Sequence, residues 1–415
     1  MKPAGRISSP NPRGALGLAA LALGLGGGCG TDPPVATTIE VSPESAVLAD
    51  VGLTSQLTAT VKDQHGQAMT DTEVAWSSSD SLTAQVSEDG LVTGREVGTA
   101  TVRASMDALT ADATVTVELG PRAVLRIFFR ETDGGNWANS RNWMTDASLG
   151  QWYGVGTDTL GNITQLNLDR NGLAGPIPPE LGALANLREL FLSQNDLTGP
   201  IPTELGNLPN LRELNLYEND LTGPIPTELG SLANLGGLLL NENDLTGPIP
   251  PELGNLANLR ELSLGANGLT GPIPPQLGNL PNLRGLHLFQ NGLTGPIPPE
   301  LGNLASSLGQ LDLGANELTG PIPPQLGNLA NLRMLHLLVN ELTGPLPRDL
   351  IGLPLVSFLW NQTDLCAPTD SAFQEWLDSI EVHWPNGNCD SGGPAARSAL
   401  GEGEESGRIP TARRR

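Results

Sequence analysis

A strict 24-residue repeat dominates this sequence. One unit, which begins at Leu187, reads L-R-E-L-F-L-S-Q-N-D-L-T-G-P-I-P-T-E-L-G-N-L-P-N. Its asparagine recurs every 24 residues, with one spacing of 25 where an extra serine stands at Ser306-Ser307. The recurring positions are Asn171, Asn195, Asn219, Asn243, Asn267, Asn291, Asn316 and Asn340. This period predicts a solenoid, in which each unit packs only against its two neighbours.

The apolar positions of the unit predict how its core is built. The L-x-x-L-x-L segment predicts a short strand whose alternate leucines face one side and stack into a continuous core. The asparagine is expected to bond unpaired backbone groups at the turn where the strand ends. The L-T-G-P-I-P segment predicts a turn and an extended edge segment, and E-L-G-N-L is expected to close the convex side. A degenerate ninth unit is predicted at Leu353, Val356, Phe358 and Asn361.

Residues 36–118 have a different pattern, with short alternating segments separated by turns that contain glycine. This spacing is typical of a β-sandwich, in which each strand has one apolar and one polar face. The predicted strands include Thr38–Val41, Gln56–Val61, Val74–Trp76, Ala100–Ala104 and Ala113–Val117.

The segments V-A-W-S-S-S-D from Val74 and V-S-E-D-G-L-V-T-G from Val86 resemble the group 2 bacterial Ig-like domain. The resemblance implies a spacer on a surface protein, and some such domains are implicated in adhesion. It also implies that Trp76 belongs to the sandwich core rather than to a ligand platform.

The repeat resembles the plant-type leucine-rich repeat of receptor kinases and polygalacturonase-inhibiting proteins, over roughly residues 120–390. The resemblance implies a parallel β-sheet on the concave face of the solenoid. Trp137, Trp143 and the Q-W-Y-G-V segment from Gln151 resemble the N-terminal cap of that family, without the paired cysteines of plant caps. A helix around residues 371–380, with Trp376 facing inward, is expected to cap the other end.

The segment 1–28 predicts an export signal rather than a folded region. Lys2, Arg6 and Arg13 precede an apolar run from Ala15 to Leu25 that is too short to span a bilayer. Followed by three glycines and Cys29, the run resembles a bacterial lipoprotein signal, although that family prefers a larger aliphatic residue at Gly26. The resemblance implies lipidation of Cys29, and ordinary signal cleavage is the alternative.

The remaining cysteines fit an exported protein, in which cysteines tend to pair. With Cys29 on lipid, Cys366 and Cys389 are left to form one disulfide. Closing that loop is worth about 3 kcal/mol. Gly30 follows Cys29, which by the same resemblance permits sorting to an outer membrane.

The sequence therefore predicts seven regions. These are a signal peptide (1–28), a linker (29–35), the Ig-like domain (36–118), an N-terminal cap (119–162), the leucine-rich repeats (163–361), a C-terminal cap with the disulfide (362–389) and a disordered tail (390–415).

Candidate contact residues follow from the columns that equivalent positions form on strands about 4.8 Å apart. Phe191, Tyr217 and Phe289 are predicted to contact a ligand, because exposed aromatic side chains on a strand mark interaction sites. Leu239 extends the Phe191 column and is predicted to join them. The alternative, that isolated exposed apolar residues are ordinary, stays open.

One column places His287, Asp312 and His336 on three consecutive strands. Imidazole and carboxylate groups in this order predict either a pH-sensitive patch or a zinc site. The two histidines would lie about 10 Å apart, which is too far for shared coordination. No metal site is therefore predicted.

An earlier column carries five arginines, some beside a glutamate, and surface charge pairing is the expected role. They are Arg188, Arg212, Arg260, Arg284 and Arg333.

The motifs and the charge limit the function. The sequence lacks H-E-x-x-H, a phosphate-binding glycine loop with lysine, and G-x-S-x-G, so neither an enzyme nor a cofactor is expected. A net charge of -23 argues against nucleic acid and anionic membrane surfaces as partners.

The predicted function is recognition or adhesion at the cell surface, with a protein or polysaccharide bound on the concave face. The alternatives are an inhibitor of an extracellular enzyme and a structural spacer of the cell envelope. The chain is expected to be a monomer that is either secreted or held in the cell envelope, with the membrane contacted only through a lipid anchor.

Overall fold

The computed structural model describes residues 33–389. It contains a β-sandwich followed by a solenoid with long parallel sheets, which confirms the predicted fold class. The export signal, the lipidation site Cys29 and the tail at 390–415 lie outside the described residues. Within the described part, no helix is long and apolar enough to cross a membrane.

The sandwich is built from nine strands in three small sheets. The strands are β1 (Ala36–Ser42), β2 (Ser45–Leu48), β3 (Thr54–Gln56), β4 (Thr58–Asp63), β5 (Ala75–Ser78), β6 (Ala84–Val86), β7 (Leu91–Gly94), β8 (Gly98–Met106) and β9 (Leu109–Val117). Their order is β2-β9-β8-β5, β3-β7-β6 and β1-β4. Most neighbours are antiparallel, whereas β2 runs parallel to β9. The alternating strand pattern therefore encloses one apolar core, which includes Leu57, Val102 and Val115.

Trp76 packs against the sandwich core, as expected, but it is only partly buried. Its ring lies over Gly90, where a Cβ atom would come within 2.9 Å of the indole carbons. The missing side chain at Gly90 thus provides the space that the indole occupies.

Helix α1 (Pro121–Glu131) joins the sandwich to the solenoid. The Asp50 carboxylate, which follows β2, accepts hydrogen bonds from the backbone N–H groups of Arg122 (2.7 Å) and Ala123 (2.9 Å). Ala123 is buried with the sandwich core, whereas Phe128 is buried with the solenoid core. One helix therefore contributes to both cores, and Asp50 satisfies its first free N–H groups.

The solenoid is organised by an eleven-stranded sheet, called the long sheet below. Its strands are Val155–Thr157, Ile163–Asn167, Glu189–Phe191, Glu213–Asn215, Gly237–Leu239, Glu261–Ser263, Gly285–His287, Gln310–Asp312, Met334–His336, Ser357–Leu359 and Val382–Trp384. The first strand is antiparallel to the second, and all later pairs are parallel. Most parallel pairs join equivalent positions of consecutive repeats, such as Leu190 with Leu214, so the repeat period sets the register directly.

The segments predicted to hold a turn and an extended edge segment form a second sheet of nine strands. Its strands are Ala174–Pro176, Asp196–Pro200, Asp220–Gly223, Asp244–Gly247, Gly268–Pro272, Gly292–Gly295, Glu317–Gly320, Glu341–Pro345 and Asp364–Cys366. Prolines stand at their ends, where the ladder needs no donor. Each Gly of L-T-G-P has a positive φ, as at Gly199 (76°), which is why no other residue type suits that position.

Short 3-10 helices close the side of the solenoid opposite the long sheet. They span Pro179–Ala183, Thr203–Asn207, Thr227–Ser231, Pro251–Asn255, Pro275–Asn279, Pro299–Leu304, Pro324–Asn328 and Arg348–Leu350, with two more at Gly134–Asn136 and Leu149–Gln151 in the N-terminal cap. Their leucines, such as Leu205 and Leu229, are fully buried as predicted. A Cβ at Gly206 would lie 2.5 Å from the carbonyl oxygen of Glu228, so the regular spacing of glycine lets adjacent helices pack closely.

The repeat asparagines form the predicted internal ladder. Asn219 donates through Nδ2 to the carbonyl oxygens of Leu192 (3.0 Å) and Leu216 (3.1 Å). Its Oδ1 accepts from the backbone N–H of Leu197 (3.1 Å) on the preceding rung. Each amide therefore pairs buried backbone groups of two rungs, and the cost of leaving those groups unpaired is avoided.

The ninth unit uses a different frame from the one predicted. Leu355, Phe358 and Trp360 are buried at the three leucine positions, whereas Val356 is 36% exposed. The strand Ser357–Leu359 then continues the long sheet. The correction arises because this unit is one residue shorter than the others, with Met334 paired to Ser357, 23 residues on. Thr363, and not Asn361, therefore stands at the position of the repeat asparagine, and its hydroxyl donates to the carbonyl oxygen of Trp360 (2.6 Å).

The C-terminal cap contains helix α2 (Ser371–Asp378), whose first turn is capped by the Asp370 side chain. Trp376 is 8% exposed and packs inward, as expected. Cys366 and Cys389 form a disulfide with their Cα atoms 4.9 Å apart. The strand Val382–Trp384 completes the long sheet and leaves Trp384 54% exposed at its end.

Candidate binding surface

The solvent-facing side of the long sheet is the candidate surface, called the long-sheet face below. Each strand is short, so two side chains per strand flank an inward leucine, and the in-register pairing aligns them in two columns. One column runs Gln165, Glu189, Glu213, Gly237, Glu261, Gly285, Gln310, Met334, Ser357 and Val382. The other runs Asn167, Phe191, Asn215, Leu239, Ser263, His287, Asp312, His336, Leu359 and Trp384.

All seven predicted contact residues lie on or beside these columns, and each is half-buried rather than fully exposed. They are Phe191, Tyr217, Leu239, His287, Phe289, Asp312 and His336. The sequence predicts exposed aromatic side chains on this face, whereas in the structure these side chains are only partly exposed. The rings lie against their neighbours and leave one part of each open to solvent.

Glycines on the preceding rung leave space for two large side chains, Phe289 and Leu338. A Cβ at Gly265 would come within 2.4 Å of the Phe289 ring on the next rung, and a Cβ at Gly314 would come within 2.7 Å of Leu338. Each large side chain thus occupies the space above a glycine of the preceding rung. The pairing makes the long-sheet face continuous and reduces the number of free rotamers.

Tyr217 lies between two carboxylates that the sequence analysis did not assign to the surface. Burial, together with the charges of Glu242 and Glu218, raises the pKa of the Tyr217 phenol to about 12. Glu218 also accepts a hydrogen bond from the Gln194 side chain (2.6 Å). Because the pKa is raised, the phenol remains protonated and keeps a hydrogen to donate across the physiological range.

The predicted column of His287, Asp312 and His336 separates into two pairs. His287 Nε2 lies 3.0 Å from Glu261 Oε1 on the preceding rung, so this histidine points away from Asp312. His336 Nδ1 lies 3.4 Å from Asp312 Oδ2, and its Nε2 lies 2.8 Å from Ser357 Oγ. Across residues 33–389, no group of three or more histidine, cysteine or acidic side chains is placed to share a metal ion.

The neighbouring acids on the first half of the face are held close together. Glu189 and Glu213 are paired in register on adjacent strands, and Gln165 donates to Glu189 (2.7 Å). Burial, followed by repulsion from Glu189, raises the pKa of Glu213, while Arg260 opposes the shift. The first half of the face is therefore rich in negative charge.

The expected pairing of the arginine column with its neighbouring glutamates is wrong. In the described part of the chain, none of Arg188, Arg212 and Arg260 comes within ion-pair distance of a carboxylate. These arginines are exposed, whereas Glu189 contacts Gln165 and Glu261 contacts His287. A side chain one rung away competes better than a neighbour in sequence, because adjacent strand residues point to opposite faces.

Sequence reasoning missed Glu218, Glu242 and Ser357, and it gave Glu213 and Glu261 only a role as charge partners of the neighbouring arginines. Glu261 and Ser357 contact the two histidines diagonally, so a search along one column does not find them. Glu218 and Glu242 follow the strands at positions with positive φ (53° and 56°), outside the strand pattern. Glu218 and Glu242 could have been found only by aligning the turn positions of the repeats as well as the strand positions.

Two family models match the chain. One is the Bacterial Ig-like domain (group 2), over residues 35–117. The other is the Leucine Rich Repeat, which matches residues 162–184, 186–208, 210–232, 258–280, 282–304 and 307–329. Both models describe folds that typically bind rather than catalyse, and neither indicates an enzyme family. A search of curated proteins gives no match.

Solved structures of plant proteins resemble the solenoid. The ectodomain of the Arabidopsis thaliana receptor kinase GASSHO1/SCHENGEN3, in complex with CASPARIAN STRIP INTEGRITY FACTOR 2, is 38% identical, with a TM-score of 0.54 over 61% of this chain and 34% of that one. The plant peptide hormone receptor RGFR1, in complex with RGF2, is 37% identical, with a TM-score of 0.49 over 50% of this chain and 34% of that one. This chain thus spans about a third of each receptor chain.

A plant ice-binding protein is 27% identical, with a TM-score of 0.51. The match covers 65% of this chain and 97% of that protein.

Proposed function

The chain combines an N-terminal Ig-like domain with leucine-rich repeats, and we propose that it recognises an extracellular protein or polysaccharide on the long-sheet face. One observation carries the proposal. The inward leucines and asparagines repeat from rung to rung, whereas the outward residues of the same strands change from Glu213 and Asn215 to Met334 and His336. A purely structural array has no need of that variation, while a binding surface requires it.

The rigidity of the surface supports binding. Its strands are fixed by ladder hydrogen bonds and by the buried asparagines, and Phe289 and Leu338 lie over glycines. A partner therefore meets side chains that are already ordered, and association loses less conformational entropy than it would on a mobile loop.

The distribution of charge indicates what a partner should present. Acidic side chains occupy the first half of the face and its rim, at Glu189, Glu213 and Glu218, whereas Leu359 and Trp384 lie at the far end. A partner with basic groups at one end and an apolar group at the other fits this gradient. The receptor ectodomain that resembles this solenoid was solved in complex with CASPARIAN STRIP INTEGRITY FACTOR 2.

The proposal places the protein outside the cytoplasm. A disulfide between Cys366 and Cys389 persists in oxidising compartments and is rare in the cytosol. We infer that residues 1–28 direct export, that Cys29 carries the lipid, and that the protein is held in the cell envelope as a monomer. Mass spectrometry of the intact protein tests this, because lipidation adds acyl mass at Cys29, whereas ordinary cleavage leaves an unmodified N-terminus.

A second candidate function, ice binding, is favoured by the plant neighbour and by a row of threonines on the second sheet. Threonine occupies one position on seven consecutive strands, from Thr198 to Thr343. However, Thr222 is paired with Asp244 and Thr294 with Glu317, so carboxylates interrupt the row outside its middle. A flat uncharged array is thus limited to the surroundings of Thr246 and Thr270, and we rank this function below recognition.

The experiment is a binding screen of the full-length protein against cell-wall polysaccharides and extracellular proteins. A partner that binds the native protein should lose affinity by about tenfold or more when Phe191, Tyr217 and Phe289 are all changed to Ser. The matched control changes Thr222, Thr246 and Thr270 to Ala on the second sheet. If only the control variant loses binding, the long-sheet face is the wrong surface, and an assay of ice growth with the same two variants tests the second candidate.

A screen without a partner would favour the spacer alternative. An enzyme inhibitor would be recognised in the same screen by loss of activity of a bound extracellular enzyme. Both alternatives are therefore decided by the experiment that tests the main proposal.

A further inference from the structure

An open groove of about 580 Å³ lies at the N-terminal end of the long sheet, where the cap meets the first two strands. None of the seven contact residues of the proposed function lines it, although Asn167 in its lining is paired in register with Phe191. The side chains that line it and bear on its chemistry are Arg141, Asn142, Gln151, Tyr153, Gln165 and Asn167.

Glycines keep the groove open. Gly150, Gly154 and Gly156 lie along it, and a Cβ at Gly154 would come within 2.3 Å of the carbonyl oxygen of Asn167. A Cβ at Gly156 would lie 2.9 Å from the Cβ of Gln165. The cap loop can therefore approach the first strands closely, and its backbone is accessible to a ligand.

Hydrogen bonds of the backbone and of the Asn142 and Trp143 side chains hold the two cap segments together, and none of them uses the side chain of Arg141, Gln151 or Tyr153. The Tyr153 N–H donates to the carbonyl oxygen of Arg141 (3.0 Å), and the Asn142 side chain donates to the carbonyl oxygen of Gln151 (2.7 Å). The indole N–H of Trp143 donates to the carbonyl oxygen of Tyr153 (2.9 Å). The wall of the groove is thus fixed in place before any ligand binds.

Several polar groups in this fixed wall have no partner within residues 33–389. The Arg141 guanidinium, the Gln151 amide and the Tyr153 hydroxyl make no hydrogen bond or ion pair there, and the Asn167 side chain uses only its oxygen, toward the Asp169 N–H. Together these groups offer nitrogen donors, amide oxygens and one phenol at a single opening. Such a set can bond several hydroxyl groups of one ligand.

The charge of the groove is opposite to that of the protein. Arg141 is the single charged residue in the lining, whereas the chain as a whole carries a net charge of -23. A free guanidinium binds a carboxylate through two parallel hydrogen bonds. The amides and the half-buried Tyr153 ring then suit the hydroxyl groups and the apolar face of a sugar.

We propose that this groove binds an acidic oligosaccharide through a uronic acid unit, with the sugar carboxylate on Arg141 and its hydroxyl groups on Gln151, Gln165 and Asn167. The C-terminal carboxylate of a peptide is the competing ligand. The lining favours the sugar, because Trp152 and Val155 are buried (2% and 6% exposed) and leave no apolar pocket for a peptide side chain.

The test is isothermal titration calorimetry of the full-length protein with trigalacturonate, trimannuronate and a hyaluronan tetrasaccharide. We expect at least one to bind, and binding to weaken by about tenfold to a hundredfold in Arg141→Gln, since a charge-assisted contact is lost. Arg212→Gln, an exposed arginine farther along the solenoid, is the matched control and should bind like the native protein. The methyl ester of the bound sugar should bind as weakly as the Arg141→Gln variant does.

Other outcomes overturn the proposal. Equal binding of the acid and its methyl ester would remove the role of the carboxylate, and no binding of any of the three sugars would remove the site. Binding of a peptide that ends in a free carboxylate, but of no sugar, would assign the groove to the competing ligand. Because Arg141→Gln breaks no side-chain contact, an unchanged unfolding midpoint should accompany its loss of binding.

Two variants distinguish failure of the groove proposal from failure of the proposal for the long-sheet face. The variant with Ser at positions 191, 217 and 289 should still bind the sugar, whereas Arg141→Gln should still bind the partner of the long-sheet face. If the long-sheet variant alone abolished sugar binding, the sugar would belong to that face and the groove proposal would be wrong.

Discussion

The sandwich and the solenoid solve the same problem of core formation in different ways. In the sandwich, β2 near the start of the domain lies beside β9 at its end, so the core closes only when distant segments meet. In the solenoid, every rung packs against the repeat before it and the repeat after it. The first arrangement makes the whole domain one cooperative unit, whereas the second divides stability among neighbouring rungs.

The solenoid frame leaves its outward residues free to vary. Because the leucines and asparagines alone define that frame, the outward residues can change from rung to rung without disturbing the fold. The sandwich has less of this freedom, since its strands are few and each contributes to a single core. The solenoid is thus the better place for a recognition surface, and the sandwich serves as its support.

The largest expected effect concerns the solenoid frame. Leu238→Ala removes a fully buried side chain and should lower the free energy of unfolding of the solenoid by about 2–5 kcal/mol. Leu239→Ala, on the same strand but half-buried on the long-sheet face, is the matched control and should cost much less. Urea denaturation, with limited proteolysis as the probe of unfolding, measures the free energy of unfolding of both variants. Equal losses in the two variants would contradict the division between frame and surface.

The disulfide gives the next largest effect. Changing both Cys366 and Cys389 to Ser should destabilise the C-terminal end by about 3 kcal/mol, because the closed loop then gains conformational freedom in the unfolded state. Because each rung is stabilised mainly by the rungs beside it, the last rungs should open first, and the sandwich should be unaffected. Hydrogen exchange should show the loss of protection concentrated near the strand Ser357–Leu359; a uniform loss along the solenoid would argue for a single cooperative unit.

A smaller effect is expected where the two regions meet. Asp50→Ala removes the carboxylate that caps helix α1, and should cost about 0.5–2 kcal/mol. Since α1 contributes to both cores, the unfolding midpoints of the sandwich and of the solenoid should both fall. Glu88→Ala, on an exposed sandwich turn, is the control. A shift confined to one region would show that α1 does not couple them.

The smallest effect concerns the acidic half of the long-sheet face. The pKa of Glu213 is raised in the folded protein, so the fold binds this proton more tightly than the unfolded chain does. Ionised Glu213 therefore destabilises the fold above its folded pKa. This destabilisation decreases as the pH falls through that value, because the carboxylate becomes protonated. Glu213→Gln should raise the unfolding midpoint at pH 7, and the gain should shrink toward pH 4. A gain that grows as the pH falls would contradict the assigned direction.

The repeat makes most of the solenoid predictable. Its constant spacing gives the register of the strands, and the role of the asparagine follows from its place after an apolar strand. The second sheet is not predictable this way, because it depends on glycines such as Gly199 that adopt a positive φ before proline. The frame of the ninth rung around Val356 is also not predictable, because its unit is incomplete.

The candidate surface is less predictable than the fold. The columns of equivalent strand positions identify Phe191, Tyr217 and Phe289. They do not predict the diagonal contact of His287 with Glu261 or the packing of Phe289 over Gly265. These depend on side-chain direction and on the size of residues one rung away. The groove at Arg141 is not predictable at all, because its cap loop has no repeat to align it with the sheet.

The measurement that tests the central claim most directly compares the two regions for one partner. Once a partner is identified, its dissociation constant is measured for two full-length variants, one with Phe191, Tyr217 and Phe289 changed to Ser, and one with the exposed sandwich residues Val47, Leu82 and Val97 changed to Ser. Recognition on the long-sheet face predicts that the first variant weakens binding by about tenfold or more, while the second binds like the native protein. Loss of binding in the second variant alone would contradict the account and assign recognition to the Ig-like domain.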